Sequence, residues 1–483
     1  MSLQSVEQLS FDFLPSRPIK VEISPAALSS DAGLLPIRQL DERIAFTAQF
    51  AKALEDTRHP TLTQQSLLGM VRQRIYGILA DYEDQNDHDT LRSDPVFKLI
   101  ADRLPDDDDL ASQPTLSRFE NAITIADLWR LRDVFVDDFI QSFNTPPLRL
   151  TFDLDAFDDP THGHQQLTLF HGYYDQYQYL PIAITCAEND GVVLVGLRHG
   201  TCHAALGADD DLQYLARRLR EVWPDVQIVI RCDSGFATPR MYEVCDELRL
   251  IFTIGLGMNC RLKALSAALL EEALQAYEQT GEPQRLFLPV EYQADSWPTS
   301  RPVVIKVEVH SQGTNRRAVV TNRRGSSIQP QGVYDEYAAR GESENRNKEL
   351  KRELKGDRLS DHRFLANFFR LYLHAAALNL GIRLRQVAAL PHKTPQELGI
   401  PNPLPAQLLD TPDRRRYFNR RRDYDPLGEG FASTWRTRLI KVAAEVIVSA
   451  RRVLIRLSKS WPHLDHLRHV SRAVLALAPA PSG

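Results

Sequence analysis

Two apolar runs that each end in an aspartate constrain this chain more than any other feature. In Pro147-Leu-Arg-Leu-Thr-Phe-Asp153-Leu-Asp155, the apolar Leu148, Leu150, Phe152 and Leu154 alternate with Arg149, Thr151, Asp153 and Asp155. That is the two-residue period of a half-buried strand. Both aspartates project from the same face, and Asp155 stands nearer the carboxyl end. In Val226-Gln-Ile-Val-Ile-Arg-Cys-Asp233-Ser-Gly235-Phe, a short apolar run ends in Asp233 just before a glycine-bearing turn. Open α/β sheets place their ligands at the carboxyl ends of strands. The two runs therefore predict a pair of strand-end carboxylates in a sheet of that kind.

A third segment, Tyr337-Ala-Ala-Arg340-Gly-Glu-Ser-Glu344-Asn-Arg-Asn-Lys-Glu-Leu-Lys351, predicts a helix. With Arg340 at zero and about 100° per residue, Glu344 falls near 40°, Lys351 near 20° and Tyr337 near 60°. Glu342 and Glu349 point to the other side. One arc thus carries an aromatic, a guanidinium, a carboxylate and an ammonium. The segment also fits a solvated helix laced with i,i+4 ion pairs. Two strand-end aspartates with a later helical glutamate instead supply the donor set of a two-metal phosphoryl-transfer site. Hard oxygen donors suit Mg²⁺, and a metal pair about 3.5–4 Å apart clamps the attacking and leaving oxygens.

At these residues the chain resembles the bacterial insertion-sequence transposases with a DDE active site and a Y-R-E-K signature. The spacing of Tyr337, Arg340, Glu344 and Lys351 matches that signature. Asp153-Leu-Asp155-Ala-Phe-Asp-Asp-Pro-Thr-His-Gly and Arg231-Cys-Asp233-Ser-Gly-Phe-Ala look like the two aspartate motifs, and Leu169-Phe-His171-Gly-Tyr-Tyr-Asp is similar to the motif between them. The resemblance covers roughly residues 60 to 385, with Phe157 standing where a small or hydroxylated residue is expected. It implies that Asp155, Asp233 and Glu344 bind two Mg²⁺ or Mn²⁺ ions, with Asp153 as the alternative first carboxylate. It also implies that Tyr337, Arg340 and Lys351 hold phosphates, that cutting is followed by strand transfer, and that flanking DNA leaves through a hairpin. The implied partners are double-stranded DNA, as terminal inverted repeats and as target, and a second copy of the chain in a homodimeric DNA complex.

With 483 residues, 43% apolar and 25% charged, the chain has the composition of an ordinary soluble protein of two to four domains. It contains no apolar run long enough for a transmembrane helix, and its first residues carry no secretory signal. Cys186, Cys202, Cys232, Cys245 and Cys260 form no C-x-x-C, which points to a reducing compartment rather than to a disulfide framework; the resemblance implies that this compartment is a bacterial cytoplasm, with nucleoid association.

The net charge of −5 conceals an asymmetry. Residues 411–483 hold 15 Lys/Arg against 6 Asp/Glu, including Arg414-Arg-Arg and Arg420-Arg-Arg, while Asp106-Asp-Asp-Asp and Asp209-Asp-Asp211 lie upstream. A phosphate-binding tail on an acidic body fits this distribution, as does a solvated helix face with flexible ends.

The expected architecture is an α/β fold with an RNase H-like mixed β-sheet flanked by helices. Residues 1–145 read as an extended arm to about residue 35 and then a helical DNA-binding domain, with Leu67, Val71, Ile75 and Leu79 on one face and Leu128, Leu131, Val134 and Phe135 on another. Pro114 opens a helix that carries Arg118, a candidate DNA contact; a domain that only packs fits the same pattern. Residues 146–259 read as the first part of the catalytic core: a strand to Asp155, a second near Thr168–Tyr173 continuing through Pro181–Cys186, and a third over Val192–Leu197. A helix at Leu212–Val222, the Asp233 strand, a helix near Arg240–Leu248 and a strand at Leu250–Leu256 follow. Residues 260–317 read as a β-rich insertion with strands at Arg285–Val290 and Val303–Val309. Its one tryptophan, Trp297, is a candidate for stacking on an unstacked base or a core residue. Residues 318–390 return to the core with the Glu344 helix and a buried apolar helix from His362. Residues 391–483 read as a linker marked by Pro391, Pro401, Pro403 and Pro405, then a basic helical C-terminal region.

Other chemistries find less support. His162-Gly-His164 and Cys202-His203 are isolated pairs with no zinc spacing, and neither a P-loop nor a G-x-S-x-G elbow occurs. The sequence reads as a DDE transposase. The alternatives are an RNase H-like DNA nuclease that cuts without strand transfer and a domesticated DNA-binding protein; three intact carboxylates favour an active enzyme.

Overall fold

A computed structural model describes residues 9–14, 16–17, 19–325, 328–391, 393–400, 413, 416–417, 420, 423–425 and 428–478. Pro401, Pro403, Pro405, Arg414, Arg415, Arg421 and Arg422 lie outside the described residues. The chain opens with a short exposed hairpin, β1 (Leu9–Phe11) and β2 (Ile19–Val21), followed by β3 (Leu28–Ser29). A helical region comes next: α1 (Leu34–Ile44), α2 (Phe46–Lys52), α3 (Leu67–Leu79), α4 (His88–Leu91), α5 (Pro95–Ile100), α6 (Gln113–Asn121) and α7 (Ile125–Gln141).

Local chemistry starts these helices where the sequence suggests. Ser66 caps α3, Asp94 caps α5 ahead of Pro95, and Thr124 with Asp127 closes a capping box on α7, each occupying amide N–H groups that a helix end leaves open. On α3, Val71, Ile75 and Leu79 are buried, as the helical period requires.

The sheet region follows as β4 (Arg149–Ala156), β5 (Asp159–Pro160), β6 (Leu169–His171), β7 (Gln176–Tyr179), β8 (Ile182–Cys186) and β9 (Val192–Gly196), then α8 (Ala208–Val222), β10 (Gln227–Cys232), α9 (Pro239–Glu247) and β11 (Ile251–Leu256). After α10 (Cys260–Leu265) and α11 (Ala267–Thr280) come β12 (Gln284–Tyr292), β13 (Arg301–His310) and β14 (Gly313–Thr321). The main sheet has eight strands in the order β12-β13-β14-β11-β10-β4-β8-β9. β10 runs parallel to both β4 and β11, and the other neighbours are antiparallel.

Two expectations change here. The segment 260–317 is not a separate β insertion: it starts with two helices, and its strands continue the main sheet through β14 beside β11. Buried Val303, Ile305 and Val320 join the core under β10 and β11, so apolar burial draws these strands onto the existing sheet edge. Thr168–Tyr173 does not lead into β8 either. β6 pairs with β7 in a separate three-stranded sheet with β5.

The chain then forms α12 (Pro330–Ala338), α13 (Gly341–Lys348), a π-helical turn at Glu349–Glu353 and the long α14 (Phe364–Ala388). The expected continuous helix over Tyr337–Lys351 is therefore broken. Arg340 N–H bonds to Tyr337 O and Ser343 N–H to Arg340 O, tight i→i+3 links between the two helices. α12 packs over β11, β12 and β13 whereas α13 packs over β4 and β8, and the twist of a sheet turns those surfaces out of line for a straight rod.

The C-terminal region is not purely helical. Helical turns at Ala432–Ile440 lead to a hairpin of β15 (Ala444–Ser449) and β16 (Arg452–Leu457), and β15 also pairs with β3. A helix at Leu464–Leu475 follows.

Two large cores result. One unites the N-terminal helices with α14 and the C-terminal segments. The other lies beneath the main sheet against α8 and α9, and α7 contributes to both through Phe135 and Phe139. In the first core, Glu120 of α6 is fully buried between Arg74 of α3, at 2.7 Å, and Arg370 of α14, at 2.5 Å. Burial pushes its carboxyl up, but the two guanidinium groups outweigh burial and hold it down at about 2.

Candidate active site

The register of β4 and β10 sets Asp153 opposite Arg231 and Leu154 opposite Cys232. Asp155 and Asp233, one residue further along each strand, therefore stand at adjacent carboxyl ends. Asp233 turns the chain: its Oδ1 accepts from Gly235 N–H at 2.8 Å at the start of a 3-10 turn. A Cβ on Gly235 would come within 3.0 Å of that same oxygen, so glycine lets the turn close over the carboxylate.

Asp155 is 17% exposed and faces α13. Its Oδ2 accepts from Asn347 Nδ2 at 2.8 Å and lies 3.6 Å from Arg340 Nη1. Burial pushes the Asp155 carboxyl up to about 6; Arg340 opposes that rise, and the charge of Asp233 adds to it. Burial works against the charge of Arg340, but Asp155, Tyr337, Asp233 and Glu344 around it outweigh that effect. Tyr337 lies within 5.9 Å of the Arg340 guanidinium. A Cβ on Gly255 in β11 would come within 2.5 Å of the Tyr337 hydroxyl. Burial raises this phenol, Arg340 lowers it and Asp233 raises it.

Asp153 has a different role from Asp155. It is fully buried and accepts both Arg231 Nε and Nη2 at 2.7 Å, and Arg346 Nη1 reaches it at 3.2 Å. Its carboxylate oxygens are bound to guanidinium groups that tie β4, β10 and α13 together. The alternative first carboxylate is thus a structural anchor. Glu336, next to the site, is likewise held by Arg149 and Arg323.

Glu344 sits on the first turn of α13, 66% exposed, with Oε1 3.4 Å from Arg340 Nη2. Arg340 bridges it to Asp155. Among the described residues no three Asp, Glu, His or Cys side chains form a ready metal cluster: the structure brings Asp155 and Asp233 together and keeps Glu344 on the far side of Arg340. Lys351, in the π turn, reaches Asp158 Oδ1 at 2.6 Å. Burial raises the Asp158 carboxyl, but the Lys351 ammonium outweighs it and lowers it.

Trp297 is not available to a base. It is 6% exposed, with its ring edge-on to Tyr242 and Tyr292 at 5.1 and 5.5 Å, because the loop between β12 and β13 folds it into the main core. Arg118 is exposed on α6, with its guanidinium 3.2 Å from Thr115 Oγ1. Phe157 is buried in the helical core.

The sequence reading passed over Asn347, Arg346 and Asp158. Asn347 is seven residues after Arg340, which at about 100° per residue puts it within about 20° of the same arc. The arc contained the signal, but an amide attracted less notice than the charged residues beside it.

A sequence model of the transposase DDE domain, group 1, matches residues 11–399. No curated protein matches. Six chains of solved structures match. One is a cryo-EM structure of the piggyBac transposase synaptic complex with hairpin DNA, 13% identical, covering 95% of this chain and 89% of that chain with a TM-score of 0.40. By the family match over most of its length, the chain belongs to the transposase DDE domain group 1 family and is a metal-dependent DNA transposase.

Proposed function

We propose that Asp155, Asp233 and Glu344 are the metal-binding triad and that two Mg²⁺ ions, replaceable by Mn²⁺, serve cut-and-paste transposition. The observation that carries this reading is the pairing of Asp155 with Asp233 at adjacent parallel strand ends under a shared cation, Arg340. The donor set fits a divalent ion. All three side chains offer hard oxygens, and a carboxyl pushed up by burial, and further by its neighbour's charge, is a site that an added cation stabilises. When bound, such ions polarise the scissile phosphate and lower the pKa of the attacking water or hydroxyl.

The chain's own residues do the positioning. Asn347 fixes the Asp155 carboxylate, the Gly235 turn fixes Asp233, and Arg340 links Glu344 to Asp155 by contacting both carboxylates. Arg340, Lys351 and Tyr337 hold phosphates beside the scissile bond, and Arg118 contacts DNA from α6. Fixed charge of this kind stabilises charge developing in the reaction without reorganisation. Tyr337, Arg340, Glu344 and Lys351 are read as the Y-R-E-K signature of a bacterial, nucleoid-associated enzyme acting as a homodimer on double-stranded terminal repeats and target DNA.

The strand order β9-β8-β4-β10-β11, three antiparallel strands followed by two parallel ones, supports an RNase H-like core. Around it we divide the chain at residues 145, 259, 317 and 390 into an arm with a helical DNA-binding region, the two parts of the core with the 260–317 segment between them, and the C-terminal region.

The test uses duplexes made from the DNA on either side of the reading frame, searched for short inverted repeats. Asp155→Asn, Asp233→Ala and Glu344→Ala should each abolish strand nicking in Mg²⁺ while retaining duplex binding. An Asp233→Ala protein that nicks at the wild-type rate would remove the assignment.

A further inference from the structure

The hairpin β6–β7 stands beside the carboxylates and exposes more aromatic surface than any use described so far explains. Tyr173 is 86% exposed, Tyr177 60% and Phe170 46%. The rings form edge-on pairs, Phe170 with Tyr177 at 5.5 Å and Tyr173 with Tyr174 at 5.0 Å. Large apolar rings clustered in water mark a contact surface.

The hairpin's base is fixed. A Cβ on Gly200 would come within 2.1 Å of Gln178 O and 2.3 Å of Leu169 O, so backbone packs directly on backbone there. Gln176 Nε2 donates to Asp158 Oδ2 at 3.3 Å, linking β7 to the acid that holds Lys351. Tyr179 Oη donates to Gln166 O at 2.6 Å. The tip turns through Gly172-Tyr173-Tyr174-Asp175, with Asp175 at φ 53° and its N–H bonded to His171 O at 2.8 Å. Tyr174 faces the site: burial raises its phenol, and Asp158, Tyr173, Asp155 and Asp233 raise it further.

We propose that Tyr173 and Tyr177, with Phe170, form a stacking platform for unpaired DNA bases next to the phosphodiester being cut. This rests on the reading of Asp155 and Asp233 as the cutting centre. A strand that enters that centre carries its bases past the hairpin while Arg340 and Lys351 meet its phosphates. Aromatic rings take any base by its π face and need no sequence.

Binding is measured without metal, in EDTA, on two probes: a blunt duplex and the same duplex with a short single-stranded 3′ tail containing 2-aminopurine. The wild-type protein should prefer the tailed probe by about tenfold and quench its fluorescence. Tyr173→Ala/Tyr177→Ala should bring that preference close to one and relieve the quench. Tyr173→Phe/Tyr177→Phe, which keeps the rings, should retain both. Equal affinity of the wild type for the two probes overturns the proposal, as does an alanine double variant with its preference intact. Alanine variants that change only the oligomeric state would make the hairpin a protein interface and overturn it too. Asp155→Asn should keep the tail preference. Nicking by that variant would overturn the cutting assignment alone, so the two readings fail separately.

Discussion

Asn347 Nδ2 donates a hydrogen bond to Asp155 Oδ2 at 2.8 Å, joining α13 to the carboxyl end of β4 through one neutral amide N–H and one acid. The carboxylate of the proposed metal site is thus aimed by a side chain outside the proposed acidic triad.

Asn347→Ala removes that donor. A hydrogen bond to a charged group is worth about 1.5–3 kcal/mol, so single-turnover nicking should fall by about tenfold or more while duplex binding stays near wild type. The acid limb of the pH–rate profile should also move to higher pH, because Asn347 helps to lower the Asp155 carboxyl. An unchanged profile in Asn347→Ala would leave the amide a packing group.

Asp153 and Asp155 separate by stability. Asp153→Ala leaves Arg231 and Arg346 buried without their shared acid, a loss on the order of 3–5 kcal/mol that should appear as a much lower melting temperature. Asp155→Asn should melt at or above the wild-type temperature yet fail to nick. The opposite ranking in thermal melts would exchange the two roles.

A third expectation concerns pH in metal-free protein. The Asp155 carboxyl lies at about 6 in the fold against about 3.9 unfolded, so the folded state holds its proton more tightly. Its contribution to stability is therefore present at low pH and is lost as pH rises through about 6. Asp155→Asn should remove a cost on the order of 1–3 kcal/mol at neutral pH, and its melting curve should fall less between pH 4 and pH 7. Glu120, held at about 2, acts with the opposite sign: its contribution is full above the ordinary carboxyl range and is lost as pH falls through about 2. Parallel melting curves for Asp155→Asn and wild type would contradict the Asp155 assignment.

Gly255→Ala places a methyl group 2.5 Å from the Tyr337 hydroxyl, and overpacking of this kind costs about 1–3 kcal/mol. Adding Tyr337→Phe deletes the clashing oxygen and should recover part of the loss. Additive effects in the double variant would show that the two residues do not share that space.

Lys351→Ala should slow nicking and lower the salt slope of duplex binding by about one unit if the ammonium meets phosphate. Were its pairing with Asp158 the whole of its work, melting temperature alone would respond.

The two aspartate strands were legible because strand alternation and strand-end turns are local in sequence. Three features were not. The break at Ala339–Gly341 depends on which strands lie beneath α12 and α13, and that is a property of sheet twist. β12–β14 looked like an insertion because period-2 runs reveal a strand but not its neighbour. Asp153 and Asp155 share one face and one periodicity; position along the strand favoured Asp155, but the burial of Asp153 between arginines from β10 and α13 could not be read from the sequence.

The clamp of Asp153 by Arg231 and Arg346 has a consequence for the order of synthesis. A ribosome releases Asp155 and Asp233 well before it releases Arg340, Arg346 and Asn347. Until that later stretch is made, Asp153 lacks Arg346, and the strand-end pair has no counter-cation and no amide to aim it. The nascent chain therefore carries these acids without the side chains that orient and neutralise them. The residues that complete this site arrive with the last third of translation, after the N-terminal helical region already exists.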